Sequence, residues 1–252
     1  MKISIKELEE LTHRAIKKYG YSDEEVQVIA DVMVYAQLRD NNQGVVKLID
    51  KGIPKDPKAG EIVIEKETPI SARINGNKNH AMLVVGKAVE IVKEKAKKSG
   101  FAIAGTFNTN TSSGAIGCYA SRLAGEGLIG FAFSRSPERV AVRGSFEPVF
   151  GTNPLAIAIP SELDPIVLDM STAATSFFGR VEAVTAGRSI PADYAGGKRE
   201  PPGPTAPGTR PDRSGGKSAC RVAESSRRDI NGRLMFYQQW MEGNKQCWNS
   251  TM

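Results

Sequence analysis

Two hydrophobic periods alternate along the middle of this chain, and that alternation constrains the fold more than any other feature. FAIAGTF (101–107), LIGFAFS (128–134), NPLAIAIP (153–160) and PIVLDMS (165–171) are short apolar runs bounded by Gly, Pro and Asn. Runs this short and this apolar read as strands buried in a sheet. IVIEKET (62–68) and ISARING (70–76) read as two further short strands, and Asn75-Gly76-Asn77 marks the turn that follows. A long helix is expected from Ala81 to about Lys98, stopped by Ser99-Gly100, and a shorter one from Gly114 to Gly125. Strands interleaved with helices imply an α/β layered domain built on a mixed sheet.

Ahead of that domain, Ile5, Leu8, Leu11, Ala15 and Ile16 recur at helical spacing, with Ser4 as N-cap and Glu7 placed to complete a capping box. Gly20 stops this helix, and Ser22 opens a second one with the apolar face Val26, Ile29, Ala30, Met33, Val34 and Ala36. A polar turn from Arg39 to Gly44 follows, and Val45–Ile49 resumes a helical pattern. Three segments are therefore expected: an N-terminal helical segment (1–60), an α/β domain (61–195) and a tail (196–252). The tail lacks periodicity, and residues 196–229 hold five of the 14 prolines with few apolar groups, so it is expected to be disordered or translated out of frame from about Ala195. Its last aromatic stretch, LMFYQQWMEGNKQCW, is too short and isolated to form a core of its own.

The charge balance excludes one function class. The net charge of +6 is concentrated in the tail, where 10 basic residues face 5 acidic ones, whereas residues 1–195 carry 24 and 23. The body is thus near neutral, and no nucleic-acid partner is expected. Nor is a membrane partner: no apolar run approaches the length of a span, and MKISIKELEE is too charged for a secretory leader, so a cytoplasmic location is expected. Cys118, Cys220 and Cys247 form no C-x-x-C pair, so neither zinc nor a disulfide framework is expected.

Residues 127–191, with GLIG, then PVFGTNP, then a strand ending in DMST, then AGRSIP, resemble the malate/L-lactate dehydrogenase family, which includes sulfolactate and ureidoglycolate dehydrogenases. The stretch KAKKSGFAIAGTFNTNTSSGAIGCYA and the two N-terminal helices fit the same family, so the resemblance covers about residues 1–195. It implies a three-layer mixed-sheet domain of the L-sulfolactate dehydrogenase type, not a Rossmann fold, with N-terminal helices and an incomplete C-terminus. It also implies NAD or NADP as cofactor, a small 2-oxo or 2-hydroxy acid as substrate, and a homodimer. A second reading is a truncated, catalytically inactive member that keeps only nucleotide binding or oligomerisation.

The resemblance implies cofactor contacts at Ser134, Gly151, Thr152, Asn153, Asp169, Met170, Ser171 and Thr172, with Arg188 nearby. Hydroxyl side chains and exposed N–H groups at strand ends can hold pyrophosphate and ribose without a phosphate loop. Two departures affect the chemistry. Where the family has Ser-His-Gly and an arginine three residues on, this chain has Asn42-Gln43-Gly44 and Lys47; where it has a histidine in Ser-His-Phe-Gly-Ala-Ala-Gly, this chain has Thr111-Ser112-Ser113-Gly114-Ala115-Ile116-Gly117. Reducing a 2-oxo acid requires a cation for the carboxylate and a proton donor for the oxygen. The candidates are Lys47 for the cation, His80 for the proton, and Gln43 and Ser112 at the positions of the missing histidines. His13, off the first helix's apolar stripe, is expected to be a surface residue. PDRSGGKS (211–218) lacks the first glycine of a phosphate loop and follows no strand, so it is read as chance.

Overall fold

The computed structural model describes residues 3–48, 52–138, 140–141, 148–173, 183 and 186–187, and the backbone of 236–240. Helices α1 (Ile5–Lys17) and α2 (Asp23–Gln37) precede a 3-10 turn at Val45–Leu48. Then follow β1 (Val63–Thr68), β2 (Ser71–Asn75), α3 (Ala81–Ser99), β3 (Ile103–Phe107), α4 (Gly117–Gly125) and β4 (Gly130–Ser134). The remaining strands are β5 (Val140–Ala141), β6 (Pro148–Phe150), β7 (Pro154–Ile159), β8 (Ile166–Ser171) and β9 (Phe236–Trp240). Contacts divide the chain into two units: residues 1–136, 153–172 and 233–252 form one, and 137–152 with 173–232 form the other. Among the described residues the second unit contains the two-stranded antiparallel sheet β5–β6.

The first unit is organised by a seven-stranded sheet in the order β1-β2-β3-β9-β4-β7-β8. β2, β3, β9 and β4 are mutually parallel, while β1 and β7 run antiparallel to their neighbours. Period-2 alternation sorts the side chains. Gly130, Ala132, Ala156 and Ala158 face α4, whereas Phe131, Phe133, Leu155 and Ile157 point to the other side. Small residues are needed under α4: a Cβ on Gly130 would lie 2.6 Å from the Ala120 carbonyl oxygen. α3 covers β2 and β3, and α2 packs on both α3 and α4 as an outer layer.

The core follows from these layers. Ile29, Met33, Ile74, Met82, Val84 and Val85 are fully buried, each worth roughly 1.5–3 kcal/mol relative to exposure. Ser22 and Glu25 close a full capping box on α2, whereas α1 shows only the Ser4 half, its Oγ accepting from the Glu7 N–H. The stripe expected to be buried on α1 is only half covered, with Ile5 and Leu11 exposed and Thr12 and Ile16 inside. The reason is that, among the described elements, α1 packs against α2 and the 3-10 turn. α4 starts three residues later than expected, because Gly114 takes a left-handed φ of 77° that no helix interior accepts.

The tail differs from its expectation at one place. Phe236–Trp240 form β9, pairing in parallel with β3 on one side and β4 on the other. A five-residue aromatic run suffices there because the facing edges of β3 and β4 supply ladder partners for both sides of its backbone. The other tail residues, and Arg188, lie outside the described residues.

Candidate active site

Parallel strands in an open α/β sheet leave a crevice outside their carboxyl ends, where ligands bind. In this sheet that edge is formed by the ends of β2 (Asn75), β3 (Phe107) and β4 (Ser134). β7 is antiparallel to β4 and β8, so its first residue, Pro154, and the last residue of β8, Ser171, reach the same edge.

Two loops at that edge are bonded together. The parallel bridge between His80 and Asn110 is made by Ala81 N–H donating to the Asn110 carbonyl (2.9 Å) and Asn110 N–H donating to the Asn79 carbonyl (2.8 Å). Asn108 Nδ2 donates to Asn75 Oδ1 (2.9 Å), and Asn79 Nδ2 to the Gly60 and Gly76 carbonyls. Asn77, Lys78, Asn108 and Thr111 all have positive φ, a conformation that asparagine tolerates better than most residues. This asparagine clustering was visible in the sequence and would have marked the two loops as one structure.

The zipped loops bring three of the expected catalytic residues together. Lys47, delivered by the 3-10 turn, is buried at 7% exposure, and its Nζ donates to Ser112 Oγ. Ser112 itself is exposed, and the Tyr119 hydroxyl fixes its loop by donating to the Ser113 carbonyl (2.6 Å). Burial pulls the Lys47 ammonium down to about 8. His80 stands close enough for that charge to act on it, though burial is the larger influence, and together they push its imidazolium down to about 3.

His80 is the N-cap of α3, with Nδ1 accepting from the Met82 N–H (3.2 Å), so the proton of its neutral ring sits on Nε2. Nε2 is buried and has no partner among the described residues. The Tyr21 ring meets the imidazole edge-on at 6.1 Å, and the Tyr21 hydroxyl donates to the Ile53 carbonyl (3.0 Å); burial raises that phenol above its usual range. Burial and the Lys47 charge hold a ring so capped and enclosed in its neutral form near pH 7. Tyr21 escaped the sequence reading because nothing in its local pattern links it to residue 80. Gln43 lies in the turn before Lys47, its backbone N–H donating to Asn41 Oδ1 (2.9 Å).

The residues expected at the cofactor divide differently. Ser134, Asn153, Ser171 and Thr172 lie at or next to the ends of β4, β7 and β8 on the carboxyl edge. Ser171 pairs with Pro154, and Thr172 Oγ1 donates to the Asn153 carbonyl (3.0 Å). Asn153 Oδ1 is buried with no partner among the described residues, an orphaned acceptor that fits a ribose hydroxyl or an amide N–H. Gly151 and Thr152 belong to the second unit. Met170 points to the face opposite α4, beside Leu155. Asp169 lies on the α4 side of β8 and its Oδ2 accepts from the Gly117 N–H (3.0 Å), so this carboxylate caps α4 while the residue stays exposed. Gly117 permits the approach, since a Cβ there would lie 2.7 Å from that oxygen.

Among the described residues no group of His, Cys, Asp and Glu could hold a metal ion, and no helix is long and apolar enough to cross a membrane. The family profile described as Malate/L-lactate dehydrogenase matches residues 3–202. Malate/(S)-sulfolactate dehydrogenase of Methanothermus fervidus is 35% identical over 202 residues, covering 77% of this chain and 59% of that protein. Malate dehydrogenase of Pyrococcus abyssi is 34% identical over 191 residues, covering 72% and 51%. The crystal structure of malate dehydrogenase from Entamoeba histolytica superposes with a TM-score of 0.69 at 28% identity, over 75% of this chain and 54% of that one. The chain spans about half the length of the curated relatives it matches. The profile match across most of its length, together with the shared mixed-sheet architecture, places this chain in the malate/L-lactate dehydrogenase family.

Proposed function

We propose that this chain is a nicotinamide-dependent oxidoreductase acting between small 2-oxo and 2-hydroxy acids, with Lys47 as its acid–base group. One observation carries the reading: the Lys47–Ser112 pair and the cluster of Ser134, Asn153, Ser171 and Thr172 lie along the same carboxyl edge of one sheet. When bound, the cofactor supplies or accepts the hydride. NAD and NADP both remain candidates, since relatives are named ureidoglycolate dehydrogenase (NAD(+)), from Escherichia coli, and (2R)-3-sulfolactate dehydrogenase (NADP(+)), from Chromohalobacter salexigens.

In this reading Asn153 Oδ1 accepts from the cofactor, and Ser134, Ser171 and Thr172 offer hydroxyls to its ribose and phosphate oxygens. Lys47 replaces His80 as proton donor. As an ammonium with a pKa of about 8 it passes a proton through Ser112 Oγ to the oxygen that becomes the hydroxyl, and its charge attracts the substrate carboxylate. Because an ammonium is a point charge, it orients that carboxylate less strictly than a guanidinium fork would. Reduction then requires protonated Lys47 and falls above pH 8, whereas oxidation requires the neutral amine and rises through the same pH.

Association as a homodimer belongs to the same proposal. It is supported by the outer face of the β7–β8 edge, where Ile159, Ile166 and Leu168 are exposed at 44%, 66% and 46%. The test is loss of nicotinamide absorbance across a panel of 2-oxo acids, for wild type and Lys47→Met. Turnover abolished by Lys47→Met supports the proposal; turnover that survives it contradicts the role of Lys47, and no turnover with any acid contradicts the activity.

A further inference from the structure

We propose, on the reading of the carboxyl edge as a cofactor site, that Trp240 of the tail is a nucleotide-binding residue: it supplies the aromatic surface on which a planar ring of the nicotinamide cofactor stacks. β9 fills the gap between β3 and β4, and both pairings are parallel, so β9 ends at the edge where those two strands end. Trp240 pairs with Phe107, the last residue of β3, and Gln239 pairs with Ser134, the last residue of β4. The register therefore sets Trp240 at the middle of that edge, and the crevice outside the carboxyl ends begins where β9 stops.

The position is aromatic as well as central. Cross-strand partners share a face of the sheet, so Trp240 falls on the face of Phe107, and Gln238 on that of its partner Phe133. Residues two apart on a strand share a face too, which puts Phe107, Trp240 and Phe133 on one face of three adjacent strands, at or one residue from their carboxyl ends. α3 and α4 cover the opposite face, over Ala104, Thr106 and Ala132. Around this row the Phe131 and Phe133 rings stack at 6.4 Å, and the Arg73 guanidinium lies 4.7 Å from the centre of the Phe107 ring.

The chemistry of a dinucleotide asks for such a surface. Ser134, Asn153, Ser171 and Thr172 bring hydroxyls and an amide to the same edge, groups that suit ribose and phosphate oxygens but not the flat side of a heteroaromatic ring. A ring is buried best against another π face, and indole has the largest one among side chains. Nicotinamide and adenine are both planar heteroaromatic rings, and an indole accepts either.

The test uses the full chain carrying Trp248→Phe, which leaves Trp240 as the sole indole of a sequence with two. NADH should quench Trp240 emission saturably, along the same curve as the nicotinamide signal. Quenching by AMP identifies the stacked ring as adenine, and quenching by reduced nicotinamide mononucleotide identifies it as nicotinamide. In the otherwise wild-type chain, Trp240→Ala should weaken NADH binding by about 5- to 100-fold and Trp240→Phe should recover most of that loss, with circular dichroism confirming that each variant is folded. A saturable nicotinamide signal that leaves Trp240 emission unchanged, quenching by neither mononucleotide, or a folded Trp240→Ala chain that binds NADH as tightly as wild type would overturn the proposal and leave the cofactor site standing. Absence of any nicotinamide signal from the folded wild-type chain would overturn both.

Discussion

A lysine buried for chemistry should cost stability, and Lys47 allows that cost to be measured. The residue is 7% exposed and its pKa falls from 10.5 to about 8 because burial strips its water. A depressed lysine pKa means that the unfolded chain binds the proton more tightly than the folded one. The penalty is therefore fully present below pH 8 and disappears as pH rises toward 10.5. That shift corresponds to about 3 kcal/mol of destabilisation at pH 7. Lys47→Met removes this penalty and keeps the side-chain volume, while losing the bond to Ser112, a loss of about 1 kcal/mol. The variant should be more stable than wild type by about 2 kcal/mol at pH 7, and the difference should reverse to a deficit of about 0.5 kcal/mol near pH 10.5, where the penalty has almost gone but the bond to Ser112 is still lost. Urea denaturation at both pH values, with equal m-values for the two proteins, measures it. A Lys47→Met protein less stable than wild type at pH 7 would refute the argument, because it would mean that the charge is compensated and not poised for proton transfer.

Asp169→Ala should lower stability by about 1 kcal/mol through loss of the α4 cap, with Asp169→Asn intermediate; unchanged urea midpoints would show that the contact with Gly117 contributes nothing. His80 should stay neutral from pH 8 down to about 4, which its imidazole NMR signals can follow. Since the unfolded histidine titrates near 6.5, this residue should remove up to about 1.4 kcal/mol of stability per pH unit as pH falls from 6.5 toward 3, and His80→Asn should flatten that dependence. Gly130→Ala should cost about 1–3 kcal/mol, because the new Cβ must displace the Ala120 backbone; a wild-type melting temperature would contradict that packing.

The strands were legible because apolar runs bounded by turn residues are a local signal, as β3, β4, β7 and β8 show. The family resemblance singled out Lys47 and Ser112 separately, but their pairing was not legible, since neither residue's neighbours point to the other. What escaped depended on contacts between distant residues. Asp169 reads as a strand-end carboxylate until the register of β8 turns it toward Gly117, 52 positions away. His80 reads as a titrating group in a turn until the zipped loops and the Tyr21 ring enclose it. The start of α4 differs for a local reason: Gly114 holds a left-handed turn ahead of the helix, a conformation glycine adopts readily.

A nicotinamide site at the carboxyl edge of the sheet should be visible in fluorescence titration of the purified chain with NADH and NADPH, followed through the nicotinamide signal. Saturable binding at micromolar concentration, weakened about tenfold or more by Asn153→Ala, is the predicted result. Absence of saturable binding by a folded sample, or binding indifferent to Asn153→Ala, would contradict it.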